Sequence, residues 1–114
     1  MRSEFDHDEL RVYQRAIAFV AWLEEEASAI ASKVSARDHL TRASAGVPVN
    51  IAQASGKRSV NERRQFIDTA YGSSLECAAC LDVLCILGGL QSSTVHEGKA
   101  HLSGSSAESV GEMT

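Results

Sequence analysis

Apolar residues recur every three or four positions through most of this chain, and breaks in that rhythm divide it into four segments. In the first, Leu10, Tyr13, Ile17 and Val20 mark one face, which Ala16, Leu23, Ala27 and Ile30 widen. Such a stripe predicts a helix inside a bundle rather than a narrow coiled-coil seam. Asp6 stands where an N-cap belongs, and Glu9 three residues on completes a capping box. The second segment opens at Ser35 and Asp38 and repeats Leu40, Ala43, Val47 and Ile51. Pro48 falls inside it, removing an amide donor and crowding the carbonyl of Ser44, so a bend or local opening is expected. The side-chain amide of Asn50 is placed to satisfy the backbone groups the proline leaves unpaired.

Gly56 ends this segment, and Ser59 with Glu62 forms a capping box for the third. There Phe66, Ala70, Ser74, Cys77, Leu81 and Leu84 follow a heptad spacing, while Cys80, Val83, Ile86 and Leu87 make the C-terminal half apolar almost all round. One bundle face cannot bury that much, so either a fourth helix or a second subunit must cover the excess. Gly88 and Gly89 stop the helix. Thr94 and Glu97 resemble a further capping box, with Val95, Leu102, Val110 and Met113 as a thin stripe. Gly98, Gly104 and Gly111 each weaken such a helix by about 1 kcal/mol relative to alanine. The expectation is an all-α, antiparallel up-down four-helix bundle: one domain over residues 1–114, its ordered core about 6–90, and 91–114 a weak fourth helix or frayed tail.

Composition supports that reading. Of 114 residues 44% are hydrophobic, only 5% aromatic, and one is proline, which suits helices better than a β-sandwich. The apolar run from Cys77 to Leu90 is short for a bilayer and interrupted by Asp82, and the three cysteines make no disulfide framework, so a cytoplasmic protein without a membrane partner is expected. The net charge of −4 is unevenly spread: residues 1–36 carry −3, residues 37–64 carry +4 and residues 65–114 carry −5.

Candidate chemistry is sparse. Cys77 and Cys80 form a C-x-x-C, but in the middle of an apolar helix without two further ligands, which argues against a metal or redox role. No glycine-framed nucleophile turn or phosphate loop is present, so no enzyme, cofactor or small-molecule substrate is expected. Lys57, Arg58, Arg63 and Arg64 flank the turn between the second and third helices, with Arg37 and Arg42 upstream. They suit salt-sensitive, sequence-tolerant contact with RNA or DNA, or else a solvated loop paired with a neighbour's acids.

The stretches L-R-V-Y-Q-R-A (Leu10 to Ala16), L-T-R-A-S-A-G-V-P-V-N-I-A-Q (Leu40 to Gln53) and A-Y-G-S-S-L-E (Ala70 to Glu76) resemble, in order and spacing, the 23S rRNA intervening-sequence protein family. The resemblance covers about residues 8–90 and implies a four-helix bundle assembled into a ring, pentameric in members of the family, with no established enzymatic activity. Some members are encoded inside ribosomal RNA genes. A related branch is similar to the basic accessory variability protein of diversity-generating retroelements, which associates with a reverse transcriptase and nucleic acid. The chain departs from the family where an N-I-A-E-G run reads N-I-A-Q-A, with Gln53 and Ala54, in its poor fourth segment, and in its acidic charge. Arg42 and Glu76, in the two best-matching motifs, are expected to pair across neighbouring helices, with a nucleic-acid contact by Arg42 as the alternative. Gly72, Ser73 and Ser74 are expected to let two helix backbones approach closely. The reading is of a non-enzymatic oligomeric scaffold or accessory factor, or alternatively a direct RNA or DNA binder.

Overall fold

The computed structural model describes residues 7–26 and 34–103, which form four α-helices: α1 (His7–Glu26), α2 (Val34–Ser55), α3 (Val60–Ile86) and α4 (Ser92–Ser103). Neighbours in sequence are neighbours in space, and α4 closes the square against α1, leaving α1 and α3 across a diagonal. Cross-helix contacts fix the directions. Early α2 meets late α3 through His39 and Glu76, later α2 meets earlier α3 at Gly46 and Ser73, and the start of α1 meets the end of α2 through Glu9 and Ser55. Glu26 at the end of α1 shares a depression with Thr94 near the start of α4, and Arg15 shares one with His101 near its end, so the bundle is antiparallel and up-down throughout.

Two turns among the described residues join α2 to α3 and α3 to α4. Ser59 caps α3 from extended backbone (φ −73°, ψ 131°), its hydroxyl accepting from the Glu62 amide at 3.4 Å, as the sequence predicts. At the other end Gly88 takes φ +80°, its amide donates to Cys85 and that of Gly89 to Leu84 at 2.8 Å. This pairing satisfies carbonyls that a helix end otherwise strands, and only glycine adopts that conformation without strain. The next apolar residue, Leu90, is buried beneath the turn.

Helix lengths differ enough to divide the core. At 1.5 Å per residue α3 spans about 40 Å and α4 about 18 Å. Only one end of the bundle therefore has four helices. There Phe19, Trp22, Leu23, Leu40, Leu81, Leu84, Val95 and Leu102 form one cluster. At the three-helix end Val12, Ala16, Val47, Ile51, Ala54, Ile67 and Ala70 form a second, with smaller side chains. α3 is also long and apolar enough to cross a bilayer by length and composition alone, yet Ile67, Ala70, Ser74, Cys77, Leu81 and Leu84 line the bundle interior.

Several expectations change. On α1 the inward face is Val12, Ala16, Phe19 and Leu23, whereas Leu10 and Ile17 are exposed and Tyr13 and Val20 half-buried. On α3, Ile67 takes the inward place expected of Phe66. Thr94 is no cap, because α4 begins at Ser92 and Glu97 accepts a hydrogen bond from Trp22 Nε1 at 3.1 Å. Gly98 is less a weakness than a fit: a β-carbon there would stand 2.5 Å from Trp22 Cη2 and 3.0 Å from Leu81 Cδ1. Asp6, Ala27, Ile30, Gly104, Val110, Gly111 and Met113 lie outside the described residues.

Candidate functional site

The basic turn is built by the end of α2 and the start of α3, but its cations do not act as one cluster. Lys57 lies over the Phe66 ring, 5.1 Å from its centroid, a cation–π arrangement. Arg63 is committed inward: its Nη2 donates to Glu9 Oε1, while the Ser55 hydroxyl donates to Glu9 Oε2. The Glu9 side chain is 4% exposed, so this carboxylate bolts α1, α2 and α3 together. Arg58 and Arg64 face solvent. Arg37 lies in the first turn of α2, about 30 Å away along that helix at 1.5 Å per residue. Of the four cations that flank the turn in the sequence, the fold leaves Lys57, Arg58 and Arg64 as the outward group.

Around the family-like motifs the structure confirms close packing and shifts the polar pair. Glu76 Oε1 lies 2.7 Å from Nε2 of His39, one turn before Arg42. Arg42 shares a depression with His39, Ala43, Ser73 and Glu76, but Glu76 pairs with His39. Helical rows three and four apart both reach a neighbouring helix, so spacing alone does not choose between positions 39 and 42. Gly46 and Ser73 mark the close approach of α2 and α3: a β-carbon on Gly46 would meet Ser73 Oγ at 2.8 Å. Ser74 is buried, whereas Gly72 faces open space and takes no part. Pro48 is buried within an α2 that stays helical through Ser55, and Asn50 Nδ2 donates to the Gly46 carbonyl at 2.7 Å rather than to that of Ser44.

The apolar half of α3 behaves as its pattern implied. Val83, Ile86 and Leu87 are exposed, Ile86 at 83%, and Cys80 is half-buried beside Ala36, His39 and Val83. α4 does not cover them. Burial pushes the Cys77 thiol up to about 12 and, with Glu76 beside it, raises that of Cys80, so neither is primed as a thiolate nucleophile. Among the described residues no three of His, Cys, Asp and Glu gather to hold a metal ion.

Sequence reasoning missed Glu9 as a buried carboxylate, Trp22 as the hub of the four-helix end, and His39. The spacing of Glu9 with Val12, Ala16 and Phe19 carried a signal, masked because a charge seldom sits on a core stripe.

A short up-down helical bundle bearing an uncovered apolar helix face and a small outward basic turn is the class this geometry defines. The family model of the 23S rRNA-intervening sequence protein matches residues 8–109, and the chain belongs to that family. Searches of the curated proteins and of the solved structures return no match.

Proposed function

We propose that this protein is a non-enzymatic, cytoplasmic homo-oligomer that serves as a scaffold or accessory factor for a macromolecular partner, without a cofactor or small-molecule substrate. The observation that carries the reading is the outward face of α3, where Val83, Ile86 and the capping Leu87 are exposed while Ile67, Ala70, Ser74, Cys77, Leu81 and Leu84 on the opposite side are buried. Apolar area left in water over several turns costs solubility unless another protein surface covers it. The family resemblance favours a closed ring, pentameric in relatives. Light scattering should find a mass several times that of one chain, and a single-chain mass would refute the reading.

A second reading, direct RNA or DNA binding, draws on Lys57, Arg58 and Arg64. One chain offers few phosphate contacts, because Arg63 is neutralised by Glu9. Repetition around an oligomer would multiply them. Filter binding should then weaken steeply with salt, log K falling by about 0.9 per phosphate contact on duplex DNA for each decade. Retention unchanged by salt would remove this reading. A reverse transcriptase, with RNA or DNA, is the partner suggested by the related retroelement branch.

A further inference from the structure

On the flank where α1 meets the C-terminal half of α2, apolar side chains stay uncovered. Tyr13, Ile17, Pro48, Val49 and Ala52 line a groove of about 490 Å³ there, with Ile17 42% and Val49 56% exposed. From Pro48 to Lys57 it runs about 14 Å, at 1.5 Å per residue. Among the described residues nothing packs over it, because α4 lies on the other flank of α1, where Arg15 and Ala18 meet His101.

The polar groups of the groove gather at one end. Gln53, Gly56 and Lys57 complete its lining, which holds no acidic residue. The Lys57 ammonium sits 5.1 Å from the Phe66 ring centroid, and this contact fixes the cation at that end without neutralising it. Glu9 does not compensate Lys57, since its buried carboxylate is already held by Arg63 and Ser55. The Gln53 carboxamide adds N–H donors to the same end. Apolar along its length, with a cation and amide donors at one end, the groove matches an anionic amphiphile. Its volume falls within the range of small-ligand sites, about 300–1,000 Å³. A stable protein interface takes about 20–30 residues on each side, many more than line this groove.

We propose that the α1–α2 groove binds a free single-chain amphiphile with an anionic head, its carboxylate or phosphate at Lys57 and Gln53 and its alkyl chain running towards Pro48 and Ile17. The inference goes beyond the assembly reading and does not depend on it: the ligand is bound, not converted. A straight chain of about ten carbons covers most of the groove.

Isothermal titration of the full chain with decanoate, decyl phosphate, decanol and decyltrimethylammonium, each below its micellar concentration, tests this. The anions should bind at one site per chain, at least about tenfold tighter than the alcohol or the cation, and the tighter of the two names the headgroup. Hexanoate should bind at least about tenfold more weakly than decanoate, because fewer methylenes leave water. Gln53→Glu sets a carboxylate beside Lys57 and should remove the anions' advantage over the cation. Lys57→Gln should leave decanoate no better than decanol, and Val49→Asp, which puts a charge along the chain's path, should weaken both anions at least about tenfold. Positions 49 and 53 face solvent, so helicity should persist; if Val49→Asp loses it, Val49→Ser replaces it. Absence of binding by both anions, equal affinity for anion, alcohol and cation, or anion binding unchanged in Gln53→Glu overturns the site. The mass of the oligomer is read separately, so failure of this site and failure of the assembly reading are distinguishable.

Discussion

The two ends of the bundle solve the same problem with different materials. Where four helices meet, Phe19 and Trp22 lie with ring centroids 5.7 Å apart and fill a wide core, with Gly98 on α4 shaved to admit the indole. Where three meet, the core is narrow and lined by Ala16, Ala54 and Ala70, and the helices are tied by a buried carboxylate held by Arg63 and Ser55. The first end gains from apolar area, which is forgiving of direction. The second depends on a polar knot in which every partner must be present. Small core side chains bury little surface, and a buried ion pair such as the Glu9 knot suits fixing a register more than adding stability.

Substitutions at each end can break this contrast. Trp22→Ala should cost about 3–5 kcal/mol, because a large buried side chain leaves a cavity, and urea unfolding should show it as a lowered midpoint. Arg63→Ala should cost about 3–5 kcal/mol for the opposite reason, leaving a carboxylate buried without its cation. The double variant Glu9→Met with Arg63→Met should recover most of that loss; no recovery would mean the knot adds attraction beyond register. Gly98→Ala should destabilise by about 1–3 kcal/mol, through overpacking against Trp22, although alanine is the better helix former. A stabilised variant would show that the indole moves aside.

Two smaller effects sharpen the comparison. The folded-state pKa of Cys77 is raised above its ordinary 9.0 to about 12, so the stability tied to this thiol is fully present below pH 9. It is lost as pH rises from 9 towards 12, because the unfolded chain releases a proton the folded chain retains. Cys77→Ala should flatten that alkaline decline in a pH series of melting temperatures. At the surface, a double-mutant cycle on His39 and Glu76 should give a coupling of about 1 kcal/mol or less, as for exposed ion pairs.

Much of the fold was legible because its punctuation is local. Ser59, Gly56 and the Gly88–Gly89 pair act within a turn of backbone, and the α3 stripe follows one strong period. α1 was harder. It carries two apolar stripes, Leu10–Tyr13–Ile17 and Val12–Ala16–Phe19, and a period cannot say which faces inward when the deciding contacts lie on other helices. The polar pairs failed for the same reason. Glu97 is claimed by Trp22, 75 residues away, and Glu76 by His39, 37 residues away, so neither partner lies within the reach of a local motif. Of the basic turn, the sequence supplied the residues and the fold withdrew Arg63 from the outward group.

The chain has one tryptophan, and it sits under the shortest of the described helices, bonded to Glu97 and 5.8 Å from the His101 ring centroid. That placement makes the protein its own optical gauge. Indole emission reports whether α4 is seated, whereas the far ends of α2 and α3 are invisible to it. Loosening of the four-helix end should therefore shift the emission to longer wavelength while most of the helical signal persists, and an event confined to the basic turn should leave the emission unmoved.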